Sequence, residues 1–176
     1  MDPKVFKFGD AALEEAEEGL GYEHMYETLA EEDFQHYSQS NIIGLCQRAL
    51  SLKPSPSRWQ DLQTCNIVEG HDIVLAFEER IFDAIVEDLQ TRDPTPEFKP
   101  LVIICLDTKD NPTEGQLAGL EALRLCRLIE VRAREERLNG EMGLELVDFV
   151  GEIVDEFGNK KFSESGIKVL FQICYL

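Results

Sequence analysis

The sequence predicts an α/β fold, a three-layer αβα arrangement around a partial parallel or mixed sheet, and three observations predict it. The apolar run His71 to Phe77 passes straight into Glu78 to Arg92, where Ile81, Phe82, Ile85, Val86 and Leu89 recur at helical spacing. A second run, Leu101 to Leu106, is almost continuously apolar, as a strand covered on both faces must be, and ends in the polar stretch Asp107-Thr108-Lys109-Asp110-Asn111. From Glu114 to about Arg137, Leu117, Leu120, Leu123, Leu125 and Leu128 return at helical intervals with charges opposite them. Strand, helix, strand, helix in alternation places helices on both faces of a sheet, and loops at the carboxyl ends of its strands are where such sheets carry ligands.

The remaining elements follow along the chain. The first ten residues hold Val5, Phe6 and Phe8 and stop at Gly9; the acidic segment 10–21, with Glu14, Glu15, Glu17 and Glu18 before Gly19-Leu20-Gly21, reads as a surface insertion. A docking element for a basic partner is the second reading of that segment. Tyr22, Met25, Tyr26, Leu29 and Phe34 predict a helix over Tyr22–Tyr37, and Ile42, Ile43, Leu45 and Cys46 a second over Ser40–Leu50. Lys53-Pro54-Ser55-Pro56-Ser57-Arg58-Trp59 must be a loop, because its prolines remove backbone donors and push their predecessors towards extended geometry; Trp59 is its anchor. Asp93-Pro94-Thr95-Pro96 ends the helix that follows the first strand. Asn139-Gly140 breaks the leucine-rich helix. Leu144, Leu146, Val147, Val150, Ile153, Val154 and Phe157 predict another helix, stopped by Gly158, before a final strand over Ile167–Leu176. Only three strands are convincing, and there are no internal repeats.

Composition bounds the function. A chain of 176 residues is one domain's length, and 43% apolar with 30% charged content is a globular profile. A net charge of -18 speaks against a direct nucleic-acid surface, which needs clustered Lys and Arg. No apolar run reaches membrane-spanning length and no leader pattern opens the chain, so neither a membrane nor secretion is expected. Cys46, Cys65, Cys105, Cys126 and Cys174 have no C-x-x-C spacing, and His24, His36 and His71 are scattered, so reduced thiols are expected and no metal. No glycine-rich nucleotide motif is present, and no cofactor is expected.

Several segments carry a family resemblance. They are Tyr22-x-x-Met25-Tyr26-x-x-Leu29, Leu52-Lys53-Pro54-x-Pro56-x-Arg58-Trp59-Gln60, Phe77-Glu78-Glu79-Arg80-Ile81-Phe82-Asp83, Val86-Glu87-Asp88-Leu89 and Asp107-x-x-Asp110-Asn111. In this order, with the aromatic β ending, they resemble the phosphatases that dephosphorylate serine in the RNA polymerase II C-terminal repeat. The resemblance implies a fold similar to low-molecular-weight tyrosine phosphatases, with a cysteine nucleophile in a C-x5-R phosphate loop and an aspartic general acid. That loop is not found where the resemblance runs. The chain is therefore expected to be incomplete at its N-terminus, a single phosphatase-like domain over 1–176 lacking the family's first strand, phosphate loop, following helix and second strand, and so to be inactive.

One internal match, Cys126 to Arg132, satisfies C-x5-R, yet it lies inside the leucine-rich helical pattern. A phosphate loop turns free backbone N–H groups inward, and interior helical amides are already bonded. By resemblance Asp110 is the general acid, with Asp107 the runner-up; an ordinary loop or cap aspartate is the other reading, since Asp-Asn-Pro is good turn chemistry. Pro112-Thr113 departs from the family, which is more polar there. The implied substrate is a phosphoserine followed by a cis proline, a minority isomer in flexible peptides. Ile43 and Leu45 fall where the family lines its proline groove, and core positions on an amphipathic helix are the alternative.

The resemblance thus implies a nuclear role in transcription and mRNA 3′-end processing, with the RNA polymerase II C-terminal repeat peptide as partner. A non-catalytic binding module, held by a helical-repeat scaffold of the 3′-end machinery, is the second expectation. An unrelated acidic α/β interaction protein is the third.

Overall fold

The computed structural model describes residues 21–56, 59–138 and 146–176. The acidic insertion expected at 10–21 falls, but for Gly21, outside the described residues, as do Val5, Phe6, Phe8, the Asn139-Gly140 break and Leu144. The chain divides into two compact units, Met1–Leu62 and Gln63–Leu176.

In the first unit, helices α1 (Tyr22–Gln39) and α2 (Ile42–Leu52) pack against each other, as their spacing predicted. Leu29, Ile43 and Cys46 form the buried centre, with Met25, Tyr26, Ala30, Tyr37 and Ile42 around them. Helix α1 is interrupted at Asp33, whose backbone is extended (φ -160°, ψ 83°). The Asp33 carboxylate accepts the His36 N–H at 2.9 Å, so it caps the turn that restarts beyond the break. Tyr22 N–H donates to the Pro54 carbonyl at 2.9 Å, fastening α1 to the proline loop. A Cβ on Gly21 would lie 2.5 Å from that same carbonyl oxygen, so the approach requires glycine. Trp59 is half-buried at the start of a short 3-10 turn, Trp59–Asp61.

The second unit is built on a three-stranded mixed sheet. It comprises α3 (Thr64–Gly70), β1 (Ile73–Ala76), α4 (Glu79–Thr91), β2 (Pro100–Asp107), α5 (Pro112–Leu138), α6 (Leu146–Ser165) and β3 (Lys168–Tyr175). Strand β2 is central, parallel to β1 with Ile73 opposite Val102, and antiparallel to β3 with Asp107 opposite Lys168. Alternation along β2 sends Val102, Ile104 and Leu106 to one face, where Leu125 and Ile129 of α5 and Phe149, Val150, Val154 and Phe157 of α6 cover them. Leu101, Ile103 and Cys105 point the other way, and α4, which packs against all three strands, covers that face with Phe82, Ile85 and Leu89. The expected αβα layering is therefore present. Among the described residues β1 has a neighbour on one side only.

Two readings of the sequence need correction. Helix α6 does not stop at Gly158; it runs to Ser165. A Cβ built on Gly158 would lie 3.2 Å from the Val169 Cβ, and one on Gly151 would lie 3.4 Å from the Phe171 ring. These glycines let the helix lie close on β3, so the residue read as a stop is a packing notch. The sequence reading also missed α3, a short helix whose buried pair is Ile67 and Val68.

Candidate active site

Because β1 and β2 are parallel, they deliver their ends to the same edge of the sheet, where α4 begins and the loop 107–111 leaves β2. Two hydrogen bonds lock the edge. Thr108 N–H donates to the Phe77 carbonyl at 2.9 Å, and Glu79 N–H donates to Asp107 Oδ1 at 3.1 Å. Glu78, the residue before α4, makes no capping bond of its own, so Asp107 satisfies a first-turn donor of the helix from across the sheet. A carboxylate there also meets the positive end of the helix dipole.

The rest of the loop is held just as firmly. Thr108 Oγ1 donates to the Leu106 carbonyl at 2.6 Å, and Asn111 N–H donates to the Lys109 carbonyl at 2.8 Å. Asn111 caps α5, its Oδ1 accepting the Glu114 N–H at 3.0 Å, with Pro112 occupying the first helical position, where a missing N–H costs nothing. Asp110 therefore stands exposed between two pinned residues. Its side chain is offered to solvent while its backbone is fixed.

The charges around it are arranged in pairs. Glu78 Oε2 accepts from Arg80 Nε at 2.5 Å, which holds the Glu78 carboxyl below the usual carboxylate range. The same bond to Glu78 raises Arg80, and the Asp110 carboxylate adds to it from further away. Lys168, at the head of β3, donates to Glu79 Oε1 at 2.6 Å and is raised by that bond. Arg80 and Lys168 are thus paired with neighbouring carboxylates, and Asp110 stands exposed on the same edge with no ion pair of its own among those described. Such a group can hand a proton to, or accept one from, a bound molecule.

No cysteine among the described residues is placed to act beside it. Cys105, directly behind Asp107, is fully buried; burial above all, with the Asp107 and Glu79 carboxylates adding, pushes its thiol up to about 11. Cys46 and Cys174 are buried and raised for the same first reason. Cys126 and Arg132 both lie inside α5, so that C-x5-R match is helical, as its leucine-rich setting predicted. Cys65 is exposed on α3, but His71 stands where the motif needs arginine. Among the described residues no group of three His, Cys, Asp or Glu side chains could hold a metal ion.

The proline-groove candidates separate on α2. Ile43 is 3% exposed, in the centre of its unit, whereas Leu45 is 58% exposed. Sequence reasoning did not single out Glu79, Arg80 or Lys168 for this edge. Arg80 stood within a quoted motif, but the tie from Lys168 depends on the antiparallel register of β3.

Comparisons with known proteins bear on the same residues. A family model described as Ssu72-like protein matches residues 2–176. A Xenopus laevis relative, the SSU72 phosphatase of the RNA polymerase II C-terminal domain, is 30% identical over 154 residues, covering 88% of this chain and 69% of its own length. The Dictyostelium discoideum protein of that name is 30% identical over 139 residues, covering 78% and 58%. Among solved structures, Drosophila melanogaster Ssu72 with Symplekin, bound to a cis peptidomimetic of a CTD phosphoserine peptide, superposes with TM-score 0.69 at 18% identity, over 89% of this chain and 71% of that one. A second Drosophila melanogaster structure, a serine phosphatase of the RNA polymerase II CTD, gives 0.69 at 19% identity, over 89% and 71%. At these identities the two structures speak for the fold.

Proposed function

The chain belongs to the Ssu72-like family, and from that premise we propose that it serves in the nucleus as a member of the protein serine phosphatases acting on the phosphorylated C-terminal repeat of RNA polymerase II, in transcription and mRNA 3′-end processing. The observation that carries this reading is the extent of the family match, which runs through both compact units and includes the pinned loop 107–111. Both units then belong to one phosphatase-like domain.

Asp110 is the general acid in this reading. When a thiolate attacks phosphorus and the bond to the serine oxygen breaks, that oxygen leaves with a proton, and an exposed carboxylic acid on a fixed backbone can supply it. Asp107 is the weaker candidate, because its carboxylate is already committed to the Glu79 amide. The substrate is a phosphoserine followed by a cis proline. Leu45 offers it exposed apolar surface, and Ile43 supports Leu45's helix from the core. The partners are the repeat peptide itself and a helical-repeat scaffold of the 3′-end machinery, in line with the Symplekin complex of the fly relative.

A specific observation favours a second reading. The one C-x5-R match within these 176 residues, Cys126 to Arg132, is helical, which supports the expectation that these residues are inactive by themselves. In that case the chain is a non-catalytic, phosphatase-like binding module. Hydrolysis of p-nitrophenyl phosphate tests the inactivity that both readings share: no turnover is expected. Vanadate-sensitive turnover that disappears on replacing one of the five cysteines would overturn the inactive reading, and Asp110→Asn should then lower that turnover by about 10²- to 10⁴-fold.

A further inference from the structure

Two Ser/Thr-Pro steps occur in the chain, Ser55-Pro56 and Thr95-Pro96, and the second lies on a hydrogen-bonded clasp. Thr95 opens the turn that leads from α4 into β2. Its carbonyl accepts the Phe98 N–H at 3.2 Å, and its hydroxyl donates to the Leu176 carbonyl at 2.7 Å. On the far side of the turn the Lys99 carbonyl accepts the Leu176 N–H at 3.0 Å. Leu176 therefore bridges both ends of the turn with its own backbone, while its side chain is buried, 1% exposed. The clasp holds a conformation that a free turn would seldom adopt. Phe98 sits in the left-handed region (φ 49°) with 59% of its surface exposed, so burial of its ring offsets little of that strain.

The segment around Thr95 is extended and open. Arg92 is extended (φ -77°, ψ 147°), and Pro94 and Pro96 bias Asp93 and Thr95 to the same region. Asp93, Pro94, Pro96 and Glu97 are exposed, and Thr95 itself is half-buried. A proline directly after the threonine has no N–H for an enzyme's groove to satisfy. The local charges would not welcome an added anion. Asp93 and Glu97 flank Thr95, Arg92 pairs with Asp88 at 2.6 Å, and the Lys99 ammonium donates to the Val68 carbonyl at 3.3 Å.

We propose that Thr95 is a phosphorylation site for a proline-directed protein kinase, and that the phosphate unfastens Leu176 from the turn. In the transfer the Thr95 hydroxyl oxygen attacks the γ-phosphorus of ATP and the bond to the β,γ-bridging oxygen breaks. ADP leaves, and the hydroxyl proton passes to the kinase's base. The phosphothreonine has lost the O–H that held the Leu176 carbonyl. In its place it carries about -1.5 to -2 charges and acceptor oxygens, which repel that carbonyl and the flanking Asp93 and Glu97. The clasp opens transiently to admit the kinase, and the phosphate keeps it from closing again. With one of its two ties gone, the turn can release Phe98 from the left-handed region and free Leu176 beyond β3. The inference rests on neither the catalytic nor the substrate reading of the carboxyl edge.

The test treats the full chain with ATP and a proline-directed kinase that modifies the free peptide 89–99, and maps the phosphate by peptide mass spectrometry. Phosphate on Thr95 of the folded chain is the expected result, with none there in Thr95→Val. Amide hydrogen exchange followed by NMR then reads the clasp. After phosphorylation the Leu176 N–H should exchange about tenfold faster, and the amides at the centre of β2 should keep their protection, which certifies the fold. Cys174, buried two residues before Leu176, should react faster with a thiol reagent. Thr95→Val, which loses only the hydroxyl bond, should show part of the faster Leu176 exchange without any phosphate. A folded chain left unmodified at Thr95, or modified at Ser55 alone, would overturn the proposal. So would phosphate on Thr95 with Leu176 exchange unchanged, or a peptide 89–99 that no proline-directed kinase modifies.

Discussion

Leu101 to Leu106 have no exposed surface, whereas Lys109, Asp110 and Asn111, in the loop that continues the same strand, lie open to solvent. The first stretch is held by apolar side chains from both helical layers and by strands on both sides. The second is held by single hydrogen bonds to the Phe77, Leu106 and Lys109 carbonyls and by caps to α4 and α5. Stability and chemistry are thus separated within one strand and its loop. Burial can be dense where nothing need react, and a few directed bonds suffice to aim a side chain that must stay in water.

The sharpest way to break that contrast is to open a cavity in the buried stretch. Ile104→Ala should cost about 2–5 kcal/mol in urea unfolding, because the layers on both sides prevent collapse into the void. Next comes pH. The Cys105 thiol is pushed up from 9.0 to about 11, so between these values the unfolded chain gives up this proton while the folded one keeps it. Stability should therefore be intact below about pH 9 and fall as pH rises to about 11, by roughly 2–3 kcal/mol from this group. Cys46 and Cys174, also raised, act in the same direction. Cys105→Ala should flatten that slope, and an unchanged slope would show that the buried thiol is not its source.

At the loop the effects should be smaller and of another kind. Asp107→Ala removes the carboxylate that accepts the Glu79 amide and should cost about 1 kcal/mol, with Asp107→Asn recovering part of it because an acceptor remains. Asp110→Asn should leave the melting curve within about 0.5 kcal/mol of the parent, since that side chain is exposed. A large loss there would mean that the carboxylate is structural and not held for chemistry.

The buried stretch was legible in the sequence because continuous burial writes a continuous apolar run, and the same holds for α4 with its apolar face at helical spacing. The site was legible only as a position. The sequence placed Asp110 in a loop after a strand, but not Asp107 as the cap of α4, because that bond joins residues far apart in the chain. Nor could it give Lys168 its partner Glu79, which depends on β3 running antiparallel. Gly158 was misread for a related reason. Local propensity marks glycine as a helix end, and tertiary contact with Val169 overrides it. Helix α3 escaped notice because its seven residues are too few to show a period.

The sheet order also dictates when the molecule can be finished. Strand β3, which flanks the central strand along its whole length, lies at residues 168–175, and Leu176 is fastened by its N–H to the Lys99 carbonyl and by its own carbonyl to the Thr95 hydroxyl. A ribosome making this chain from its amino end exposes β1, α4 and β2 well before it releases the partner for β2's other edge. Through that interval the nascent chain carries β2, apolar from Leu101 to Leu106, with the edge that β3 will cover still open to pairing with another chain.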